Sequence, residues 1–280
     1  MKCISFGAGV QSTAMLLMSL KGDIERADCA VFADTGWEPK ATYAHLTDIA
    51  RICEEYDFPL HHVSKGNLRE DVLRHIRDDA GVGRLAQPPL YVINRVGLNG
   101  MPPDDSGGTL WRQCTKEYKI EPIKRKYREL LGLKKGQRVP KGTLVECWKG
   151  ISLDEAHRMK DSRDAWITNR YPLIEQKMTR DDCIRWLKSN NFPVPPKSAC
   201  IGCPFHSNSF WREQMKKRPD EFQDAEDFDR EIRERKYPGV TGQVYIHRKM
   251  LPLREAVEST MGDKNQGDLF GEECDGVCGV

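Results

Sequence analysis

The sequence has no run of about eighteen consecutive apolar residues, and its first residues lack a basic segment followed by a long apolar stretch. Neither a membrane span nor a secretory signal is therefore expected, and a cytoplasmic protein is. A charge excess is missing too. Lysine plus arginine number 44 against 42 acids, so no global field calls for nucleic acid or a membrane surface, and any such binding must come from a local patch. The amino-terminal glycine corner also lacks two familiar phosphate signatures. No Gly-Lys-Ser/Thr closes it, and Ser12 stands where Gly-x-Gly-x-x-Gly needs its third glycine. Cysteine, by contrast, is plentiful. Ten cysteines in a reducing compartment point to metal or redox ligands in preference to a disulfide framework. A chain of 280 residues is long enough for one α/β domain with an appendage.

The chain is organised around its beginning. The apolar run Cys3–Phe6 breaks at Gly7 and Gly9 and becomes Ala14-Met15-Leu16-Leu17-Met18, which reads as a buried strand, a tight turn and a helix. Glycines admit an anion close to the backbone, and the N–H groups at the helix start, with the Ser12 and Thr13 hydroxyls, supply donors and a favourable dipole. A plain strand-turn-helix corner without ligand is the alternative. Gly7-Ala8-Gly9-Val10-Gln11-Ser12 resembles the PP-loop of the ATP pyrophosphatase and phosphoadenosine-phosphosulfate (PAPS) reductase superfamily, usually Ser-Gly-Gly-x-Asp-Ser. Gly7 replaces its first Ser and Gln11 its Asp.

Further elements follow in the order that resemblance expects. A second apolar run, Cys29–Ala33, ends in Asp34-Thr35-Gly36, at the carboxyl end of a strand, where open α/β sheets bind ligands. Asp34 and Thr35 are candidate nucleotide contacts, or else Asp34 caps a turn. His61 and His62 point to opposite faces of a third strand and read as structural. Gly81 to Gly108 reads as a long loop or lid, with Pro88–Ile93 its only apolar run. Trp111-Arg112-Gln113-Cys114, continuing through Lys119 to Pro122, resembles the family's Arg-x-Cys…Lys…Pro element. Arg112, Lys116 and Lys119 would favour thiolate at Cys114; a basic, solvated helix face carrying a buried cysteine is the plainer reading. A strand at Thr143–Trp148 delivers Lys149-Gly150-Ile151-Ser152-Leu153-Asp154-Glu155-Ala156-His157-Arg158. It resembles the family's Gly-Ile-x-x-Asp-Glu-Ser-x-Arg, with Ala156 in place of Ser, and makes Gly150, Arg158 and, more weakly, Ser152 and Glu155 site candidates. Thr179 is a plausible helix cap with Asp182 in the first turn.

Cys200-Ile201-Gly202-Cys203 is a Cys-x-x-Cys knuckle, suited to placing two thiolates on one metal. By resemblance its third ligand is Cys114, giving a [4Fe-4S] cluster with an open iron. The rival is zinc, with His206 as fourth ligand; no metal at all is the third option. Two amphipathic helices are expected between Met215 and Lys236. In the tail, Glu273-Cys274 resembles the terminal Glu-Cys-Gly arm of reductases, and Cys278 adds a second thiol; a frayed tail with incidental cysteines is the alternative.

Together these features predict an adenine-nucleotide α-hydrolase-like, Rossmann-like fold: a parallel sheet with helices on both faces over 1–195, a knuckle and helical region over 196–262, and a cysteine-bearing tail over 263–280. The resemblance implies an adenine nucleotide bound by Ser5, Gly7, Gly9, Gln11, Ser12, Thr13, Asp34, Thr35, Gly150 and Arg158. It implies metal at Cys114, Cys200 and Cys203, catalytic roles for Arg158, Cys274 and Cys278, and Mg2+ beside the phosphates. The expected activity is ATP-dependent adenylation of an acceptor, with nucleic acid allowed, followed by sulfur transfer from a donor. The alternatives are reduction of PAPS or adenylyl sulfate by Cys274 with a thiol reductant protein, and a non-catalytic nucleotide or cluster sensor.

Overall fold

A computed structural model describes residues 1–77, 87–94, 104–235, 237, 240 and 242–261 of the chain. The strands are β1 (Lys2–Phe6), β2 (Cys29–Asp34), β3 (Leu60–Ser64), β4 (Tyr91–Asn94), β5 (Asp104–Thr109), β6 (Val145–Lys149), β7 (Ile167–Arg170) and β8 (Gln243–Tyr245). The α-helices are α1 (Val10–Lys21), α2 (Lys40–Glu55), α3 (Leu68–Arg77), α4 (Glu121–Leu130), α5 (Pro172–Glu175), α6 (Arg180–Ser189), α7 (Asn208–Lys217), α8 (Pro219–Glu234) and α9 (Leu253–Glu258). A π-helical stretch, Thr115–Ile120, leads into α4, and a 3-10 stretch, Leu153–Arg158, follows β6. The chain divides into two compact units, Met1–Lys65 with Thr115–Ser198, and Gly66–Cys114 with the described residues from Ala199 onward. Residues 66–114, placed by the sequence reading inside 1–195, thus group with the second unit.

In the first unit five strands form a sheet of order β3-β2-β1-β6-β7 in which every neighbouring pair is parallel. Strands covered on both faces need apolar residues at successive positions, which is why β1 and β2 read as continuous apolar runs. Successive side chains alternate between faces. Ile4, Phe6, Ala30, Phe32 and Trp148 pack into one cluster with Met15 and Leu16 of α1, Ile49 of α2 and Leu187 of α6. Cys3, Val31, Ala33 and Cys147 join a second cluster with Ile123 and Tyr127 of α4. This is an α/β architecture with a parallel sheet flanked by helices. Its strand order reverses between β1, whose neighbours toward one edge are β2 and β3, and β6, which leads to β7 at the other. Such a reversal opens a crevice at the carboxyl ends of the two diverging strands.

Thr179 caps α6 as the sequence expects. Its Oγ1 accepts the Asp182 N–H at 3.2 Å, and the Asp182 carboxylate accepts the Thr179 N–H at 2.9 Å. This fixes where α6 begins, and so where Arg180 stands.

The second unit carries an antiparallel sheet of order β5-β4-β8. Its presence corrects the reading of Gly81–Gly108 as a loop, because the stretch contains β4 and β5. β4 finds a second partner, β8, far along the chain, a pairing that no local pattern announces. The two helices expected after the knuckle are α7 and α8. Asp229 of α8 is fully buried and accepts the Ile246 N–H at 3.0 Å, the Leu253 N–H at 3.1 Å and Arg233 Nε at 2.9 Å, so one carboxylate ties α8 to β8's end and to α9. No helix among the described residues is long and apolar enough to cross a membrane.

Candidate functional site

The crevice at the strand reversal begins where β1 ends. Gly7 and Gly9 flank Ala8, which takes a left-handed conformation with φ of 56°, a geometry that costs a non-glycine residue on the order of 1 kcal/mol and is kept where surrounding structure enforces it. Ser12 explains the enforcement. Its Oγ accepts the Gly7 N–H at 3.3 Å and the Gly9 N–H at 3.2 Å and donates to the Gly9 carbonyl at 3.2 Å. The hydroxyl thus stands at the focus of the loop's N–H groups, the position that suits a phosphate oxygen. Ser198 closes the corner from the far side by donating to the Gly7 carbonyl. Beside it Gly150, just past the end of β6, lies against α1 so closely that a Cβ there would come within 2.8 Å of Ser12 N and 2.9 Å of its Cα. Only glycine fits at this contact.

The resulting cavity belongs wholly to the first unit. Ser5, Gly7, Gly9, Gln11 and Ser12 line it from β1 and α1, and Lys149, Gly150, Glu155 and Arg158 from β6 and the stretch after it. Lys119, Arg180 and Lys197 complete its charged wall. Five cationic side chains thus face one carboxylate, Glu155. That carboxylate is engaged: Arg158 Nη1 lies 2.5 Å from its Oε1, and the Gln11 amide donates to Oε2 at 3.3 Å. The other end of the Gln11 amide accepts from Arg180 Nη1 at 3.2 Å. A chain of contacts therefore runs Arg180, Gln11, Glu155, Arg158. Arg158 Nε is buried without a protein partner. Lys119, from the π-helical stretch, lies 3.6 Å from the buried Glu38 carboxylate; π-helical turns are often found at functional positions.

Of the sequence-predicted contacts, Ser5, Gly7, Gly9, Gln11, Ser12, Gly150 and Arg158 come together here, while Thr13, Asp34 and Thr35 do not line the cavity. Thr13 is buried and its Oγ1 lies 3.0 Å from His45 Nε2; burial holds the His45 imidazole below its usual pKa. Asp34 accepts the Gly36 N–H at 2.7 Å and the Tyr43 hydroxyl at 2.9 Å, with His62 Nε2 at 3.1 Å from its other oxygen. Burial and this carboxylate push the Tyr43 phenol up, so it stays a donor. Thr35 donates to Glu38 at 2.9 Å. The β2 end is thus a braced turn. His62 serves it structurally, as its place in the sequence suggests.

Lys149, Arg180 and Lys197 were missed by sequence reasoning. One had a signal. A cation in the first turn of a helix opposes the dipole, and Arg180 directly follows the Thr179 cap, which marks it as serving something other than its own helix. Lys197, at the end of the Pro193–Pro196 segment, carries no comparable mark.

Cys114, Cys200 and Cys203 all lie in the second unit as thiols. The knuckle turns through a Cys203 N–H bond to the Cys200 carbonyl at 3.1 Å, and the Cys114 N–H is held by the Gln87 carbonyl at 3.1 Å. The residue types suit a cluster or zinc, yet among the described residues no group of three or more His, Cys, Asp or Glu side chains is placed to hold a metal ion. His206 is stacked on Phe210 at 3.7 Å between ring centroids, and its Nε2 lies 2.9 Å from the Cys200 carbonyl, so that nitrogen is a donor and not a zinc ligand. Magnesium fits the cavity no better. It favours carboxylate and water oxygens, and the cavity's single carboxylate already serves Arg158 and Gln11. Cys274 and Cys278 lie outside the described residues. The chain matches no family model and no curated protein.

Proposed function

We propose that the corner between β1 and β6 binds the phosphate chain of an adenine nucleotide, and that the protein is an enzyme of sulfur chemistry acting at or beside the α-phosphate. The observation that carries this reading is the charge count at the strand reversal: five cations around one engaged carboxylate, at the mouth of a glycine turn and a helix N-terminus. The adenine and the sulfur come from the PP-loop resemblance, and with them the adenine-nucleotide α-hydrolase type of fold. On binding, the Gly7 and Gly9 N–H groups and the Ser12 hydroxyl exchange the hydrogen bonds they make with one another for bonds to one phosphate. Lys149, Arg158, Arg180 and Lys197 neutralise the rest of the chain. Lys119, steadied by Glu38, supplies the remaining charge. Such fixed donors stabilise charge that develops as a bond to phosphorus breaks.

In the favoured version an acceptor oxygen, with nucleic acid as a candidate acceptor, attacks the α-phosphorus of ATP. The bond from that phosphorus to the bridging oxygen breaks and pyrophosphate leaves with the electron pair. A sulfur nucleophile then displaces AMP from the activated acceptor. A second reading, reduction of adenylyl sulfate or its 3′-phosphorylated form by a thiol of this chain, is favoured by one observation. The cavity supplies positive charge and no spare carboxylate, and this version leaves AMP or adenosine 3′,5′-bisphosphate with no pyrophosphate to carry off. A product assay decides: pyrophosphate and AMP from ATP support the first, sulfite from a sulfonucleotide in the presence of a thiol the second. Neither product, with both nucleotides bound, would leave a binding module.

A further inference from the structure

Gln11 sits between the Arg180 guanidinium and the Glu155 carboxylate, and its neutrality decides what those groups can do. Its amide donates to Glu155 at 3.3 Å and accepts from Arg180 at 3.2 Å. Glu155 is closed off by Arg158 at 2.5 Å and is 2% exposed at its side chain. Arg180 has no carboxylate at ion-pair distance among the described residues; the Gln11 carbonyl oxygen is the only side-chain group its guanidinium bonds, and it faces the cavity. A carboxylate at position 11 would pair with Arg180, cancel one of the five cavity cations and offer an oxygen ligand to a divalent ion. Glutamine does neither. It orients the guanidinium by a hydrogen bond and leaves its charge for whatever enters.

We infer that this cavity takes its nucleotide as the metal-free polyanion, with Arg180, held uncompensated by Gln11, as a specificity-determining contact to a phosphate or sulfate oxygen of the ligand. The inference rests on the cavity being a nucleotide-phosphate site and adds which charge state of the nucleotide it selects. The physical reason is arithmetic of charge. A nucleotide polyphosphate carrying Mg2+ presents roughly two fewer negative charges, so it gains less from a wall whose five cations outnumber the two carboxylates, Glu155 and Glu38, that lie beside Arg158 and Lys119. The free polyanion keeps every oxygen open, so that one of them can take the Arg180 guanidinium that Gln11 orients.

The test is calorimetric titration of the full chain with ATP in EDTA and again in excess Mg2+, for the natural protein, Gln11→Glu and Arg180→Gln. The natural protein should bind ATP in EDTA at least as tightly as in Mg2+. Gln11→Glu should bind about 10-fold or more weakly in EDTA and recover part of that loss in Mg2+, and Arg180→Gln should lose about 10-fold in EDTA, with a smaller loss in Mg2+. Melting curves show whether each variant folds; if Gln11→Glu does not, Arg180→Gln and the natural protein decide alone. Binding by the natural protein only in Mg2+, or Arg180→Gln binding ATP in EDTA as well as the natural protein does, overturns the inference and leaves the phosphate site standing. No ATP binding in either buffer overturns the phosphate site itself, and the inference with it.

Discussion

Two corners at the carboxyl edge of the same sheet look alike in sequence and differ in chemistry. At the end of β2 the Asp34 carboxylate is met locally by Gly36, Tyr43 and His62, while Thr35 donates to Glu38, whose carboxylate also lies 3.6 Å from Lys119. At the ends of β1 and β6 the cavity's one carboxylate is engaged by Arg158 and Gln11, and the Arg180 guanidinium meets an amide oxygen. The lesson is that a polar residue at a strand end identifies a site only when its neighbours fail to neutralise it. A carboxylate with three local partners braces a turn. A guanidinium with only an amide beside it is set for an external anion.

The comparison can be broken most forcefully at Arg158. Arg158→Ala would leave the buried Glu155 carboxylate without its ion pair, at a cost of about 3 kcal/mol in stability, and would also remove ATP binding; thermal melting and a nucleotide titration check both. Unchanged binding would mean that the cation wall does not face the ligand. Gly150→Ala comes next. Its Cβ would press on Ser12 at 2.8 Å, so the end of β6 and the start of α1 must separate, with about 1–3 kcal/mol lost to overpacking and a weaker ATP titration. An alanine variant as stable and as tight-binding as the natural protein would show the corner to be loose. At the β2 end, Asp34→Ala should cost about 1–2 kcal/mol through lost hydrogen bonds and change ATP affinity by less than about threefold. A large affinity loss with an unchanged melting temperature would erase the distinction between the two corners.

The smallest effect near neutrality is a pH dependence. Burial lowers the His45 pKa below its ordinary value of 6.5, so below that pH the unfolded chain takes up a proton that the folded chain resists. Its contribution to stability is therefore intact above about pH 6.5 and falls as pH drops below it, by at most about 1.4 kcal/mol per pH unit. His45→Gln should keep a partner for Thr13 and flatten that part of the acid-unfolding profile. A profile identical to that of the natural protein would remove His45 from the account.

Much of the fold was legible because it is local. β1, β2 and β6 announce themselves as largely apolar runs, β3 by its Leu60 and Val63, and α6 by the Thr179–Asp182 cap. β7, β5 and β8 were not legible, since Ile167-Thr168-Asn169-Arg170 and the glycine-rich Asp104–Thr109 have no apolar pattern and exist through pairing with distant strands, and β4, though part of the apolar run Pro88–Ile93, reads as loop because its partners are not adjacent in an obvious pattern. The glycine half of the site was readable because Gly7, Gly9 and Gly150 mark close backbone approach. Of the cationic half only Arg158 was. Arg180 and Lys197 reach the cavity from an α6 start and a proline-rich segment far along the chain from the loop they face, and apart from Arg180's place directly after the Thr179 cap nothing local distinguishes them from solvated charges.

The central claim is that the β1 and β6 corner holds a phosphate chain and not merely a planar base or nothing. Titrating the full chain with ATP and with adenosine under identical metal-free conditions tests it directly. The account predicts saturable ATP binding, adenosine weaker by about 100-fold or more, and loss of that preference in Arg158→Ala. Equal affinity for the two, or an ATP preference untouched by Arg158→Ala, would contradict it.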